Sequence, residues 1–356
     1  MRSEIGSEFW ETDIAKGEER EIGSAHQYLL SGRTALDLII KDIQASEPIG
    51  SVAMPSYCCH TMIQPFMDNG IDVEFYNVRL QKGRYTYEVD VETSCDVILI
   101  MKYFGFASEI ADQSIEEFRK RGKIIIEDAT HSWFSDPPNH RKSNYVYSSL
   151  RKWTGVTGGA IALKSSGPFE INGPDRLNLR YIELRRKAAR LKKQFIEEGI
   201  GEKKIFLTMF NKAEELLDKD YKGCGVPASV ETGIKSLDRE KIIKARKENS
   251  KILIEGLKDI KGVESVALSD KDVPLFVPIR IAKGKRNELQ QYLIDNSIYC
   301  PIHWPLTDVH AIKERDLYNN CLSLICDQRY NSEDMGRIVG LIKAFYKQAG
   351  RGRRVH

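Results

Sequence analysis

Lys152 stands in the stretch YVYSSLRKWTGVTGGAIAL (145–163), one βα unit beyond the acidic strand end IIIEDATHS (124–132). A lysine amine in such a Ser- and Gly-rich turn can hold an aldehyde as a Schiff base, and a carboxylate such as Asp128 can keep a pyridine nitrogen protonated. Anion donors come earlier in the chain. Gly32, Arg33, Thr34 and Ala35 of SGRTALDLII open a helix whose free backbone N–H groups and positive dipole end favour a phosphate. Ser148 and Ser149 add hydroxyl donors next to the lysine turn. Amine, carboxylate and phosphate donors together are what pyridoxal 5'-phosphate (PLP) needs, so this combination predicts a PLP site.

Each signal also has a plainer reading. Asp128 is equally suited to capping a helix that starts at ATHS, a contact worth about 1 kcal/mol. Gly32 also fits an ordinary turn, and the glycines of TGGA (157–160) serve either close ligand approach or a turn into the next strand. His131 belongs either beside the phenolic oxygen of a PLP ring or in a loop with its hydrogen bonds satisfied. The order of the signals is more telling than any one of them.

The elements that would position them alternate. SVAMP (51–55), VEFYNV (73–78), VILIMKYF (97–104), KIIIED (123–128), YVYSS (145–149) and AIAL (160–163) read as strands. TALDLIIKDIQ (34–44), CHTMIQPFMDNG (59–70) and SIEEFRKRG (114–122) read as helices, the last two stopping at glycine. This predicts an α/β fold in three layers around a mainly parallel sheet, its strands apolar on both faces. In such sheets ligands collect beyond the carboxyl ends of the strands, where Asp128 and the lysine turn both fall. After AIAL come charged helices over 172–220, the connection KGCGVPAS (222–229), and a long helix over 234–258. VESVAL, LFVPIRIA, RNELQQYLIDN and SEDMGRIVGLIKAFYKQ then suggest a smaller α+β domain. The expected division is a large PLP-binding domain over 1–230 and a small domain over 231–356.

With 356 residues, 41% of them hydrophobic, the chain can bury a sizeable core. A net charge of +3 argues against a nucleic-acid protein, and the basic segment LRYIELRRKAARLKKQF reads as a solvated or subunit-contacting helical face, or as an anion-attracting surface. The seven cysteines show neither CxxC pairs nor metal spacing, so no metal site is expected and the thiols read as reduced. No run approaches 18 apolar residues, and a cytoplasmic protein without a membrane or nucleic-acid partner is expected.

SGRTAL, PSYCCHTMI, EDATHS and SSLRKWTGVTGGA, in that order and spacing, resemble the DegT/DnrJ/StrS family of sugar aminotransferases, within the fold type I PLP enzymes. The resemblance covers residues 20–165 and continues more faintly in NSIYCPIHWP and LSLICDQRYNSEDM. It implies that Lys152 binds the cofactor's aldehyde and acts as base, and that Asp128 pairs with the ring nitrogen. It further implies that His131 lies at the phenolic oxygen while Gly32, Arg33, Thr34 and Ser149 hold phosphate. Implied partners are an amino donor, glutamate or glutamine, a keto acceptor on a nucleotide-linked sugar, and a second copy in a homodimer. The chain departs from the family where an aromatic stacks on the ring: Tyr57 or His60 takes that place, and Tyr57 fits a core role equally well. The lysine turn reads SSLRKW, without the family's commoner histidine, and the subunit-bridging asparagine has only Asn178 as a counterpart. Two alternatives stand beside transamination. One is a sugar dehydrase, in which histidine replaces the lysine in the resembling proteins; the other is a non-catalytic regulatory or binding protein on the same fold.

Overall fold

Short, uninterrupted apolar runs make the sheet of this molecule. The computed structural model describes residues 4–10, 17, 22, 25–135, 142–306 and 315–351. Val97–Met101 is buried at every position, and Tyr145–Ser149 likewise, as strands covered by helices on both faces must be. Across the ten-stranded sheet the order is Arg176–Leu177, Cys224–Gly225, Ala25–Leu29, Ala160–Lys164, Tyr145–Ser149, Ile124–Asp128, Val97–Met101, Ser51–Pro55, Asp72–Gln81 and Arg84–Glu88. The five from Tyr145–Ser149 to Asp72–Gln81 run parallel, and Ala160–Lys164 lies antiparallel between Tyr145–Ser149 and Ala25–Leu29. The mainly parallel α/β fold expected from the sequence therefore forms.

Several boundaries differ. The expected strand 97–104 ends at Met101, and Tyr103–Gly105 makes a 3-10 turn. Gly105 has φ +87, and a Cβ there would lie 2.0 Å from the carbonyl oxygen of Val273, so only glycine lets the two segments meet. The long helix expected over 234–258 is two, Ala228–Lys235 and Arg239–Leu257, because Asp238 caps the second by accepting from the Lys241 N–H at 2.9 Å. Ala25–Leu29 and Arg84–Glu88 were not expected as strands. Their sequences, AHQYL and RYTYE, are too polar to stand out as apolar runs, and ladder pairing with Ala160–Lys164 and Asp72–Gln81 holds them.

A second apolar cluster draws on Leu253, Leu257, Val277, Ile279, Leu289, Leu293, Leu322 and Ile338 around the three-stranded sheet Val263–Ser265, Val277–Ile281 and Cys321–Leu324. Ile5 and Trp10 belong to this cluster, and Ile5–Gly6 pairs in parallel with Ile298–Tyr299. The first described residues thus pack with the last third of the chain.

Candidate active site

Asp128 ends the strand Ile124–Asp128 and is 3% exposed. Its Oδ1 accepts from the Thr130 N–H at 2.8 Å, and its Oδ2 accepts from the Tyr147 hydroxyl at 2.9 Å, Tyr147 lying opposite it on the neighbouring strand. Burial raises its pKa, while the bonds from Thr130 and the charge of Lys152 pull the other way. The residues after it form a turn through Ser135, so Asp128 caps no helix there.

That turn places His131, fully buried, with Nδ1 accepting from the Phe104 N–H at 3.2 Å. A neutral imidazole whose Nδ1 accepts must carry its proton on Nε2. Nε2 is buried and has no partner among the described residues. Burial first, then the charges of Lys152 and His303, hold the ring well below the usual histidine pKa, which keeps it neutral. Trp304 stacks on it at 5.6 Å and 17°, and Phe104 lies at 4.8 Å.

Lys152 closes the 3-10 turn Leu150–Lys152, between the strand Tyr145–Ser149 and the glycines before Ala160. Trp153 anchors this turn: fully buried, it donates from Nε1 to the Thr130 carbonyl at 2.7 Å and lies under the Arg246 guanidinium. The Lys152 amine makes no hydrogen bond or ion pair among the described residues, yet its charge acts on Asp128, His131, His303 and Cys59. These groups therefore converge on one place.

The start of the helix Gly32–Ser46 meets the same strand end. A Cβ on Gly32 would lie 3.2 Å from Cβ of Ser149, so the helix N-terminus and Ser149 are in contact. Ser148 Oγ is buried without a partner among the described residues. Thr34 is committed elsewhere: its N–H is capped by Ser31 at 3.2 Å and its hydroxyl donates to the Tyr221 carbonyl at 2.9 Å. Arg33 likewise donates to Asp218 at 2.6 Å and Gln64 at 3.1 Å, with its guanidinium over the Tyr221 ring. What the helix start offers an anion is its backbone rather than these two side chains.

Tyr57 is 2% exposed and lies in an aromatic nest, stacked on Tyr103 at 5.5 Å and edge-on to Trp304 and Tyr318 at 5.1 Å each. His60 opens the helix His60–Asp68 and bonds the Cys59 thiol. Burial would raise that thiol, but the His60 bond, the Lys152 charge and Thr61 bring it down to about 7. Asn178 caps its own helix, Leu179–Lys193, by accepting from the Tyr181 N–H at 3.0 Å.

Beyond Lys152 opens a cleft of about 660 Å³, lined among others by Arg151, Arg185, Glu214, Glu8, His303 and Arg329. Arg151 grips Glu214 in a bidentate pair at 2.7 and 3.1 Å; Arg185 joins Glu214 at 2.6 Å and Glu8 at 2.7 Å. Burial opposes the Glu214 charge, but the two arginines hold its pKa at about 2. The basic segment is thus not wholly a solvated face, since Arg185 and Lys192 turn inward and are 5% and 1% exposed.

No family model matches this chain, and no curated protein does. Solved structures do match. The aminotransferase TlmJ from Streptoalloteichus hindustanus superposes with a TM-score of 0.63 at 14% identity, covering 90% of this chain and 85% of that one. DesV from S. venezuelae gives 0.63 at 14% identity over 93% and 85%. A DegT DnrJ EryC1 StrS aminotransferase from Brucella abortus gives 0.61 at 16% identity over 90% and 86%. The chain has the fold of these aminotransferases, fold type I.

On that fold the sequence reading missed Tyr147, Thr130, Glu8, His303 and Trp304. Tyr147 and Thr130 lay inside quoted motifs, but the Tyr147 bond to Asp128 runs between two strands and has no sequence signal. His303 and Trp304 form a histidine-tryptophan pair between Pro301 and Pro305, a composition that could have marked a site loop.

Proposed function

We propose that the chain is a PLP-dependent aminotransferase that moves an amino group from an amino acid, glutamate or glutamine, to the keto group of a nucleotide-linked sugar. The observation carrying this reading is the partnerless Lys152 amine beside buried Asp128 and the unpaired Nε2 of His131. Those groups fit PLP: a carboxylate for the ring nitrogen, an N–H donor for the phenolic oxygen and an amine for the aldehyde. The backbone N–H groups of Gly32 and Arg33, with the hydroxyl of Ser149, suit its phosphate. When bound, the cofactor supplies an electron sink for charge developing on the substrate carbon that bears nitrogen.

The chain's own residues do the rest. Lys152 would take a proton from that carbon and deliver it to the carbon on the other side of the shared nitrogen, as a general acid-base group must for the amino group to change owner. Asp128, screened from water, would pair with the cofactor's ring nitrogen and keep a proton there. His131 stays neutral and donates from Nε2. Trp304, Phe104 and Tyr103 exclude water behind the site. Arg151, Arg185 and Arg329 line the cleft in ion pairs with Glu214, Glu8 and Asp327, and a substrate carboxylate or phosphate would bind by sharing those guanidinium groups. The resemblance to the DegT/DnrJ/StrS family, typically dimeric, supports a homodimer, and free cysteines at every cysteine position support a reducing, cytoplasmic setting. No described helix is long and apolar enough to cross a membrane.

The test is spectroscopic. Purified protein mixed with PLP should show a visible band that glutamate or glutamine bleaches, and Lys152→Ala should lose the band. A wild-type chain without any such band would end this reading.

A further inference from the structure

The loop after Ile298–Tyr299 brings a second imidazole to the cleft. His303 lines the cleft together with Lys152, and its ring is fixed on Phe276 at 4.8 Å, Phe104 at 5.3 Å and edge-on to His131 at 5.9 Å. Its Nδ1 lies 2.8 Å from Oγ of Ser323. Ser323 is 1% exposed, and among the described residues its hydroxyl has no other partner. If Nδ1 donated, a buried hydroxyl proton would be left unpaired, an arrangement proteins avoid. The hydroxyl therefore donates, Nδ1 accepts, and the proton of the neutral ring sits on Nε2. Burial and then the Lys152 charge push the pKa down to about 3, which favours the neutral ring near pH 7.

His131 and His303 thus share one design. Each Nδ1 is occupied by a donor from the protein, a backbone N–H in one case and a hydroxyl in the other, and each Nε2–H is left to donate. They differ in where the donor is. His131 is sealed within the site, whereas His303 is half-buried on the cleft that a substrate must enter.

We propose that His303 is a substrate-contacting residue whose Nε2–H donates a hydrogen bond to the oxygen of the keto group undergoing amination. The inference rests on the aminotransferase reading and adds to it the group that polarises the substrate carbonyl. No bond breaks at this residue. The proton stays on Nε2, the carbonyl carbon becomes more electrophilic, and a neutral imidazole does this without bringing a charge into the site.

Two measurements test it. Imidazole 15N–1H spectra of the chain, with His303 assigned by loss of its signals in His303→Gln, should show the Nε2–H tautomer and no protonation between about pH 5 and 9. Ser323→Ala should mix the tautomers. In single-turnover reactions with glutamate and with 2-oxoglutarate, His303→Ala should lower kcat/KM roughly 100-fold. His303→Gln, which keeps an N–H donor, should recover much of that, and PLP loading should match wild type in both variants. A Nδ1–H tautomer, or equal losses in the Ala and Gln variants of an active enzyme, overturns this inference alone. A wild-type chain that neither loads PLP nor exchanges with glutamate or glutamine overturns the aminotransferase reading, and this inference with it.

Discussion

On one wall of the cleft Arg151, Arg185, Glu214 and Glu8 share their charges in a closed set of ion pairs. Next to Arg151 in the chain, the Lys152 amine, and with it Nε2 of His131, has no partner among the described residues. The two regions sit side by side and follow opposite rules. Paired groups hold elements together: the ionic wall ties the N-terminal segment and two helices to the lysine turn. A buried group such as Nε2 of His131 that lacks a partner carries a desolvation cost that folding does not recover, and a ligand that accepts from it would offset that cost. The contrast separates side chains that keep the shape from those that do the chemistry.

The sharpest way to break the contrast is to change a site group and look for lost activity without lost stability. Asp128→Asn should cut turnover roughly 1000-fold, since the carboxylate no longer holds a proton on the cofactor nitrogen. Its urea midpoint should hold or rise, because the buried carboxylate is already penalised by desolvation. A clear loss of stability would place Asp128 with the structural set.

Lys192 gives the next largest effect. It is 1% exposed and donates to the Glu8 carbonyl at 2.5 Å, and burial, followed by the neighbouring Arg329 charge, lowers its pKa to about 7. The unfolded chain therefore binds more protons than the folded one between about pH 7 and 10.5, so this residue makes stability rise with pH across that window, by up to about 1.4 kcal/mol per unit. Chemical denaturation of wild type and Lys192→Met at several pH values should show that rise only in wild type.

Glu214→Gln tests the wall itself. Arg151 and Arg185 would be left with Glu8 alone, and stability near pH 7 should fall by about 1–2 kcal/mol, a figure reduced for the partial exposure of Glu214. The wild-type advantage is fully present above the unfolded glutamate pKa and disappears as pH falls toward 2, so the two proteins should converge in acid. The smallest effect concerns thiols. Cys59 should be alkylated by iodoacetamide with a midpoint near pH 7, whereas Cys300, Cys321 and Cys326, pushed up to about 12 by burial, should stay silent in the folded protein. Peptide mass spectrometry resolves the sites.

Much of the scaffold was legible because buried parallel strands must be apolar on both faces, and SVAMP, VILIM and IIIED are. Ala25–Leu29 was hidden because its stability comes from ladder partners far away in sequence. In the site, Lys152, Asp128, His131, Gly32 and Ser149 come together as the motif order suggested. Arg33 and Thr34 were plausible phosphate ligands by type, but tertiary partners on 203–221 claim their side chains, and no local pattern encodes that. Tyr57 followed the same logic, since an aromatic beside the site and an aromatic within a nest of four rings look alike in one dimension.

The pairing of Ile5–Gly6 with Ile298–Tyr299 has a consequence for biosynthesis. At ribosomal speeds of about 5–20 residues per second, the opening residues wait on the order of 15–60 s for their strand partner to be made. Glu8 reaches Arg185 sooner, but Arg329, which grips the Ser7 and Glu8 carbonyls, emerges later still. The cleft beside Lys152 therefore gains its last wall only once Arg329 has been made, and a nascent chain short of that point, whatever its large sheet has already formed, has no finished pocket in which to work.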